Sequence, residues 1–300
     1  MQLTLAWWNT ALSPTRRRDR AEPAQLEVAA GVIRRLIEAG ADLIVLCEVS
    51  EHDIDRLQDR LGKSLAAFLV LRMQDKAGIS RFDTTVIHRR DMSLLIEPPV
   101  LDRHGTRLLR VAQKLSLSTA DGLVSRLYLA HWPSRRNMEA LSPYRSLLGR
   151  ALRGDIVTEL TRSPRLPIVV LGDFNDEPFD PSLNDALLST RDRALAEQRS
   201  HLLYNPFWRH MSSYEPEEPS RNTGNKGTYF HAKGSITRWR TFDQMLFSAS
   251  LLNGQSGWLL SEVDTCVFLD PQLDKLVRDR ASIFDHLPIV GRILRSTGHE

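Results

Sequence analysis

The stretch "PIVVLGDFNDEPFDP", residues 167–181, runs from an apolar segment into Asp173, Asn175, Asp176 and Glu177. Gly, Asp and Asn side chains bond their own backbone, so such a cluster alone merely stops a strand. The same ending recurs along the chain. "LTLAWW" ends at Asn9, "LIVLC" at Glu48 and "LYLA" at His131, while Asp243 interrupts "TFDQMLF" and Asp285 with His286 precedes "LPIV". Strand ends on one edge of a sheet converge in space, so these side chains can form a ring of oxygen and imidazole groups at one mouth.

Each residue alone has an ordinary reading: Asn9 as a turn amide, Glu48 as a cap for a helix begun near Glu51, His131 as a core histidine, Asp285 as a turn initiator. The set is harder to explain that way. Carboxylates buried close together repel unless a cation or a hydrogen-bonded partner offsets them, so the cluster implies a bound metal or shifted protonation. Asn, Glu and Asp oxygens without thiolates or paired histidines suit a hard ion, Mg²⁺ or Mn²⁺. No HExxH occurs, "LGKS" at residues 61–64 has Leu57 where a phosphate loop needs its first glycine, and there is no Gly-x-Ser-x-Gly elbow.

The elements that must carry these groups are short apolar runs rich in β-branched residues, from "LTLAWW" to "HLPIVGRI", which read as strands. Leu26, Ala29, Ala30, Ile33, Leu36 and Ile37 repeat at helical spacing before Gly40, which places a helix between the first two strands; a second helix is expected over residues 138–160. Helices separate the early strands and flank Asp173, whereas the middle strands follow one another closely. That mixture predicts an α/β protein of two packed mixed sheets with helices outside. The irregular tract at residues 205–227 is a candidate substrate-shaping loop.

With 300 residues, 42% hydrophobic and 26% charged, the composition is that of a globular protein able to bury a sizeable core. One domain over residues 1–300 is expected, since no linker or repeat breaks the chain. Forty Lys and Arg against thirty-seven Asp and Glu leave +3, a mild excess that tolerates a polyanionic substrate without demanding one. No long apolar stretch or basic leader is present, so the expected location is cytoplasmic, with no membrane partner. Cys47 and Cys266 make no disulfide framework or zinc set, and Cys47 reads as a buried thiol.

In order, "WWNT", "LCEV", "LAHWPSR", "LGDFND", "FDQML" and "FDHLPIV" resemble the motif series of the endonuclease/exonuclease/phosphatase superfamily, the DNase I-like fold. The resemblance spans Asn9 to His286 and implies a four-layer α/β/β/α sandwich, a divalent metal and water-driven cleavage of a phosphate ester. Carried over position by position, Glu48 is the expected main metal ligand, with Asn9 and Asp285 beside it. Asp173 positions or deprotonates water, Asn175 donates to a phosphoryl oxygen, Asp243 holds His286, and His131 stabilises charge on the phosphate. Asp83 is the expected acidic partner of His131 and is counted on the substrate side of the site.

Further substrate contacts are read from side-chain type. Arg135 and Arg136 can fork onto a phosphate, Trp239 in "TRWR" can stack a base, and "TRRRDR" at residues 15–20 sits after the Asn9 strand; each also fits an ordinary surface or strand position. The expected function is a metal-dependent phosphodiesterase acting on nucleic acid, DNA favoured over RNA. The alternative is a phosphatase for a small phosphorylated metabolite or inositol phosphate, because substrate choice sits in loops. A non-catalytic binding module and a metal-free hydrolase using Ser134 are the rivals from other classes.

Overall fold

The computed structural model describes residues 2–14, 21–77, 80–211, 227–235 and 237–296. The "TRRRDR" run and residues 212–226 of the expected substrate-shaping loop lie outside them.

The first strands are β1 Gln2–Asn9, β2 Leu43–Cys47, β3 Phe68–Arg72, β4 Lys76–Ala77, β5 Ser80–Arg81, β6 Thr85–Arg89, β7 Met92–His104, β8 Arg107–Thr119 and β9 Val124–His131. They continue with β10 Ile168–Asp173, β11 Ser189–Thr190, β12 Leu203–Tyr204, β13 Tyr229–Phe230, β14 Trp239–Arg240, β15 Asp243–Ser248, β16 Trp258–Val267 and β17 Ile289–Arg295. The helices are α1 Pro23–Glu38, α2 Glu51–Leu61, α3 Pro143–Arg162, α4 Arg193–Gln198 and α5 Pro271–Arg278. One sheet has the order β16-β17-β1-β2-β6-β3 and the other β11-β12-β15-β10-β9-β8-β7. Two-residue pairs β4-β5 and β13-β14 stand apart.

The alternation of side chains along each central strand builds the layers. On β1, Leu3, Leu5 and Trp7 point between the sheets and meet Val169, Leu171, Met245 and Phe247. Ala6 and Trp8 point the other way, into a cluster with Leu26, Ala30 and Ile33 of α1, Ile54 of α2 and Leu273 of α5. On β10, Ile168 and Val170 face Leu148, Leu152 and Ile156 of α3. Three apolar seams therefore separate four layers: helices, sheet, sheet, helix.

Local signals set the helix starts. α1 opens with Pro23 and a reciprocal Glu22–Gln25 cap, and α2 with the same device between Ser50 and Asp53. α3 begins at Pro143, five residues later than expected, because Pro favours the first helical position and Met138 to Ser142 form the preceding turn. The strand β7 escaped the sequence reading. Pro98 and Pro99 argue against a strand, yet β7 is an edge strand with register shifts between Glu97 and Leu101, where lost N–H donors are tolerated.

Each sheet has one parallel pair at its heart. β1 runs parallel to β2, with Asn9 opposite Cys47, and β10 runs parallel to β9, with Asp173 opposite His131. The antiparallel neighbour β15 begins at the same end, pairing Asp243 with Asp173. Likewise β17, antiparallel to β1, begins three residues after His286. The chain thus delivers its acids, amides and histidines to one end of the sandwich.

Candidate active site

Asp173 is the centre of the cluster. Its Oδ2 accepts from Asn9 Nδ2 and from Asn175 Nδ2, both at 3.1 Å, and its Oδ1 accepts from the Asn175 backbone N–H at 2.9 Å. Two imidazoles flank the same oxygen, with His286 Nε2 at 3.8 Å and His131 Nε2 at 4.0 Å. The far nitrogen of each ring is anchored on a buried carboxylate: His286 Nδ1 on Asp243 Oδ2 at 2.7 Å, and His131 Nδ1 on Asp83 Oδ1 at 3.0 Å. Anchoring fixes ring orientation and leaves each Nε2 aimed at the mouth.

The supporting contacts come from residues to which the sequence assigned no role. Trp7 Nε1 donates to Asp243 Oδ1 at 3.0 Å across the inter-sheet seam, and Trp8 Nε1 donates to the His286 carbonyl at 3.1 Å. The adjacent tryptophans hold the two members of one histidine-carboxylate pair from opposite faces of β1. Tyr229 packs its ring 4.7 Å from that of His286 and stacks on Phe242 at 5.2 Å. Only the "WW" before Asn9 could have hinted at this; Tyr229 emerges from an irregular tract without periodicity.

The turns are strained where the chemistry sits. Glu48 and Asn175 adopt φ of +54° and +52°. The left-handed region suits Asn better than Glu, and such strain persists only where the surroundings impose it. Glu48 is held by its own carbonyl, which accepts from Ser13 N–H at 2.7 Å and Thr10 Oγ1 at 3.2 Å.

Electrostatics divides the groups by burial and partner. Burial pushes the Glu48 carboxyl up to about 7; its nearest charged neighbour, His131 Nε2, is 3.7 Å away and offsets only part of this. For His131, burial favours the neutral ring, but Asp83, Asp173 and Glu48 together outweigh it and lift the imidazole to about 9. His286 rises to about 10 in the same way, burial being overcome by Asp243, Asp173 and Asp285. Asp83 stays below the ordinary carboxylate range because the charge and hydrogen bond of His131 outweigh its burial.

Among the described residues, the tightest group of acids and histidines is Asp173, Asp243 and His286, with ligand atoms within 4.8 Å of one another. Asp243 and His286 are hydrogen-bonded to each other at 2.7 Å, so one ligand atom of each is already engaged within the trio. The expected metal residues lie beside it. Among the described residues Glu48 accepts no side-chain hydrogen bond, Asp285 is 43% exposed with its charge felt at Glu48, and Asn9 presents a carboxamide oxygen that also accepts from Ala11 N–H. A hard divalent cation fits this oxygen set.

Three expected substrate contacts, Trp239, Arg135 and Asp83, turn inward. Trp239 is 8% exposed, with Phe230 at 5.0 Å on one side and the Arg278 guanidinium at 5.1 Å on the other, so the ring is packed and offers no stacking face. Arg135 is engaged with the loop itself: Nε donates to the Asn175 carbonyl at 2.9 Å, Nη2 pairs with Asp180 at 2.6 Å, and the guanidinium covers Phe242. Asp83 is 4% exposed behind His131, which makes it that ring's partner and keeps it from the substrate side. Arg136 is exposed near Tyr229. Ser134 Oγ accepts from Asn137 Nδ2 at 3.1 Å and, among the described residues, bonds no histidine, so the serine-hydrolase alternative lacks its base.

A four-layer sandwich whose parallel strand ends gather two histidine-carboxylate pairs around an aspartate defines a class of hydrolases. The sequence pattern of the Endonuclease/Exonuclease/phosphatase family matches residues 6–265. The chain belongs to that family, whose enzymes hydrolyse phosphoester bonds. Among solved structures it is similar to an endonuclease/exonuclease/phosphatase family protein from Bacteroides thetaiotaomicron, at 14% identity and a TM-score of 0.60, over 100% of this chain and 97% of that one. It is similar to the human Nocturnin catalytic domain with bound sulfate, at 15% and 0.60 over 98% and 95% of the two chains. It also resembles the mannosyl-6-phosphatase Bt3783 of B. thetaiotaomicron VPI-5482, at 14% and 0.59 over 97% and 99%. At these identities the likeness is one of fold. No curated protein matches the chain.

Proposed function

We propose that the protein is a divalent-metal-dependent phosphodiesterase that cleaves nucleic acid, DNA in preference to RNA, by attack of an oriented water. The observation that carries the reading is the bracketing of one Asp173 oxygen by two carboxylate-anchored imidazole Nε2 atoms, at 3.8 and 4.0 Å. A phosphate diester is an anion that resists water, so a site for it must neutralise oxygen charge, aim a nucleophile and support the leaving oxygen. Imidazoles held near 9 and 10 are cationic at neutral pH; they supply positive charge for the phosphoryl oxygens, and an Nε2 proton is at hand for the leaving oxygen as the P–O bond breaks. Asp173, ordered by three amide donors, orients the water and receives its proton. Asn175 shares its amide between Asp173 and the Trp132 carbonyl, and swings that donor to a phosphoryl oxygen.

Glu48, with Asn9 and Asp285, would hold Mg²⁺ or Mn²⁺, which supplies Lewis-acid stabilisation of phosphate charge. Arg136 at the lip and the basic balance of the chain support an extended polyanion. The second reading, a phosphatase for a small metabolite, is favoured by one likeness: a sugar phosphatase is as similar in fold as the Nocturnin domain, whose bound sulfate is a tetrahedral anion like phosphate.

The test is a panel of plasmid, single-stranded DNA, RNA, bis-p-nitrophenyl phosphate and phosphomonoesters with Mg²⁺ or Mn²⁺, beside Glu48→Ala and His286→Ala. Diester cleavage that stops in excess EDTA and returns with metal is expected, with each variant down by about 10²-fold or more. Hydrolysis of monoesters alone transfers the reading to the phosphatase; activity persisting in EDTA overturns the metal.

A further inference from the structure

Arg145, in the first turn of α3, is 1% exposed. A buried guanidinium is costly to desolvate, and apolar side chains of similar volume often pack as well or better. Its donors point to a more specific task. Nε donates to the carbonyls of Met138 at 3.2 Å and Glu139 at 3.0 Å, Nη2 to Met138 at 2.7 Å and Pro133 at 2.8 Å, and Nη1 to Phe174 at 3.4 Å. Nη1 also lies 3.3 Å from Asp176 Oδ1. Pro133 stands two residues past His131, Phe174 lies between Asp173 and Asn175, and Asp176 follows Asn175. One side chain therefore joins the turn leaving β9 to the turn leaving β10.

One further strap crosses the same gap, and Asp176 ties the second turn to the segments behind it. Arg135, from the first turn, donates to the Asn175 carbonyl in the second and lies 3.5 Å from Asp176 Oδ1. Asp176, fully buried, accepts from Ser182 Oγ at 2.5 Å, and its carbonyl accepts from Gln244 Nε2 at 2.8 Å, one residue past Asp243. Burial pushes the Asp176 carboxyl up to about 6 against the pull of Arg145 and Ser182, which leaves it ionised between two guanidinium groups at neutral pH.

We propose that Arg145 is a positioning residue for phosphoester hydrolysis: with Asp176 and Arg135 it clamps the two turns so that His131 and Asn175 address one phosphate from fixed directions. The proposal rests on the reading of the site given above. A displacement of about 1 Å in a group at the reacting centre costs on the order of 10²-fold in rate. Lysine keeps the charge at position 145 but lacks the planar fork that reaches carbonyls on both turns.

Arg145→Lys and Arg145→Met are compared with wild type by thermal melting, by amide exchange of residues 132–138 and 174–178, and by steady-state hydrolysis of a diester with Mg²⁺. Arg145→Lys is expected to melt near wild type, exchange faster in both turns, and lose about 10²-fold in kcat with KM held within about threefold. Combined with Asn175→Ala, Arg145→Met is expected to cost much less than it does alone, because both act through one group. Wild-type kcat in Arg145→Lys, unchanged exchange in both turns, additive losses, or a rate loss equal to the unfolded fraction would each overturn the clamp. If the wild-type protein hydrolyses no phosphate ester, the functional reading fails, and exchange in the two turns alone then decides whether the clamp stands.

Discussion

At the scale of single residues, the site separates groups that hold charge from groups that hold position. His286 owes its cationic state to Asp243 first, with Asp173 and Asp285 adding to it, so Asp243→Asn is expected to lower the imidazole from about 10 toward its ordinary value near 6.5 and to lower kcat by about 10²-fold, read from the pH–rate profile and from ring titration by NMR. Glu48 makes a different prediction. Its carboxyl, raised to about 7 by burial, is protonated in the metal-free protein below that pH, and a cation must displace the proton. Apparent Mg²⁺ affinity is therefore expected to fall about tenfold per unit as pH drops below about 7, with proton release visible by calorimetry in buffers of different ionisation enthalpy. A pH-independent affinity would remove Glu48 from the ligand set. "GDFN", "LCEV" and "FDHLPIV" made these residues legible as a set: each strand ending alone has an ordinary reading, but the same ending recurs in order along the chain. Arg145 and Trp7 were not legible: a helical arginine and a strand tryptophan look ordinary until their partners, 29 and 236 positions away, are known.

At the scale of elements, the central strands must approach closely enough for Asp173 and His131 to share one mouth. Gly172 makes that possible on β10: a Cβ there would lie 1.9 Å from the Ala130 carbonyl oxygen on β9. Gly172→Ala is expected to destabilise by about 3 kcal/mol, with a fall in melting temperature and a loss of activity larger than the loss of folded protein, since Asp173 is the next residue. α3 meets its neighbour in the same way. At Gly149 a Cβ would lie 2.1 Å from the Ser182 carbonyl oxygen, so the helix that carries Arg145 is seated against the turn that follows Asp176. Strand and helix periodicity makes most of these elements visible in the sequence itself. The β7 strand escaped because its prolines obey an edge-strand rule, and edge position is a property of the assembled sheet.

At the scale of the molecule, the two sheets are tied through their site. Asn9 on β1 bonds Asp173 on β10, and Trp7 bonds Asp243, so both links cross the inter-sheet seam. The chain is expected to unfold in one cooperative transition, a single calorimetric peak, as a one-domain reading requires; two separated peaks would refute it. Its pH dependence has a definite sign. Glu48, His131 and His286 all hold protons more tightly folded than unfolded, the first from about 4.5 up to about 7 and the histidines from about 6.5 up to about 9 and 10. Each contribution is full below the group's ordinary value, about 4.5 for Glu48 and about 6.5 for the histidines, and is lost as pH rises through the folded one, so the metal-free protein is expected to melt lower at pH 9 than at pH 6. Mg²⁺ or Mn²⁺ is expected to raise the melting temperature more at pH 8 than at pH 5.5, because the cation replaces the proton at Glu48.

What the amino-acid order determined by itself was the inventory: strands by β-branched apolar runs, helices by 3.6-residue spacing and caps, and the acids, amides and histidines placed where those strands stop. These are local properties, set by side-chain chemistry over a few neighbouring residues. Tertiary structure alone decided which other groups meet: that Trp7 reaches Asp243, that Trp239 is packed inward, that Arg135 holds a loop, and that a guanidinium from α3 joins two turns. Such contacts span tens to hundreds of residues, and their partners are chosen by burial, which leaves a polar group with no stable place except against another polar group.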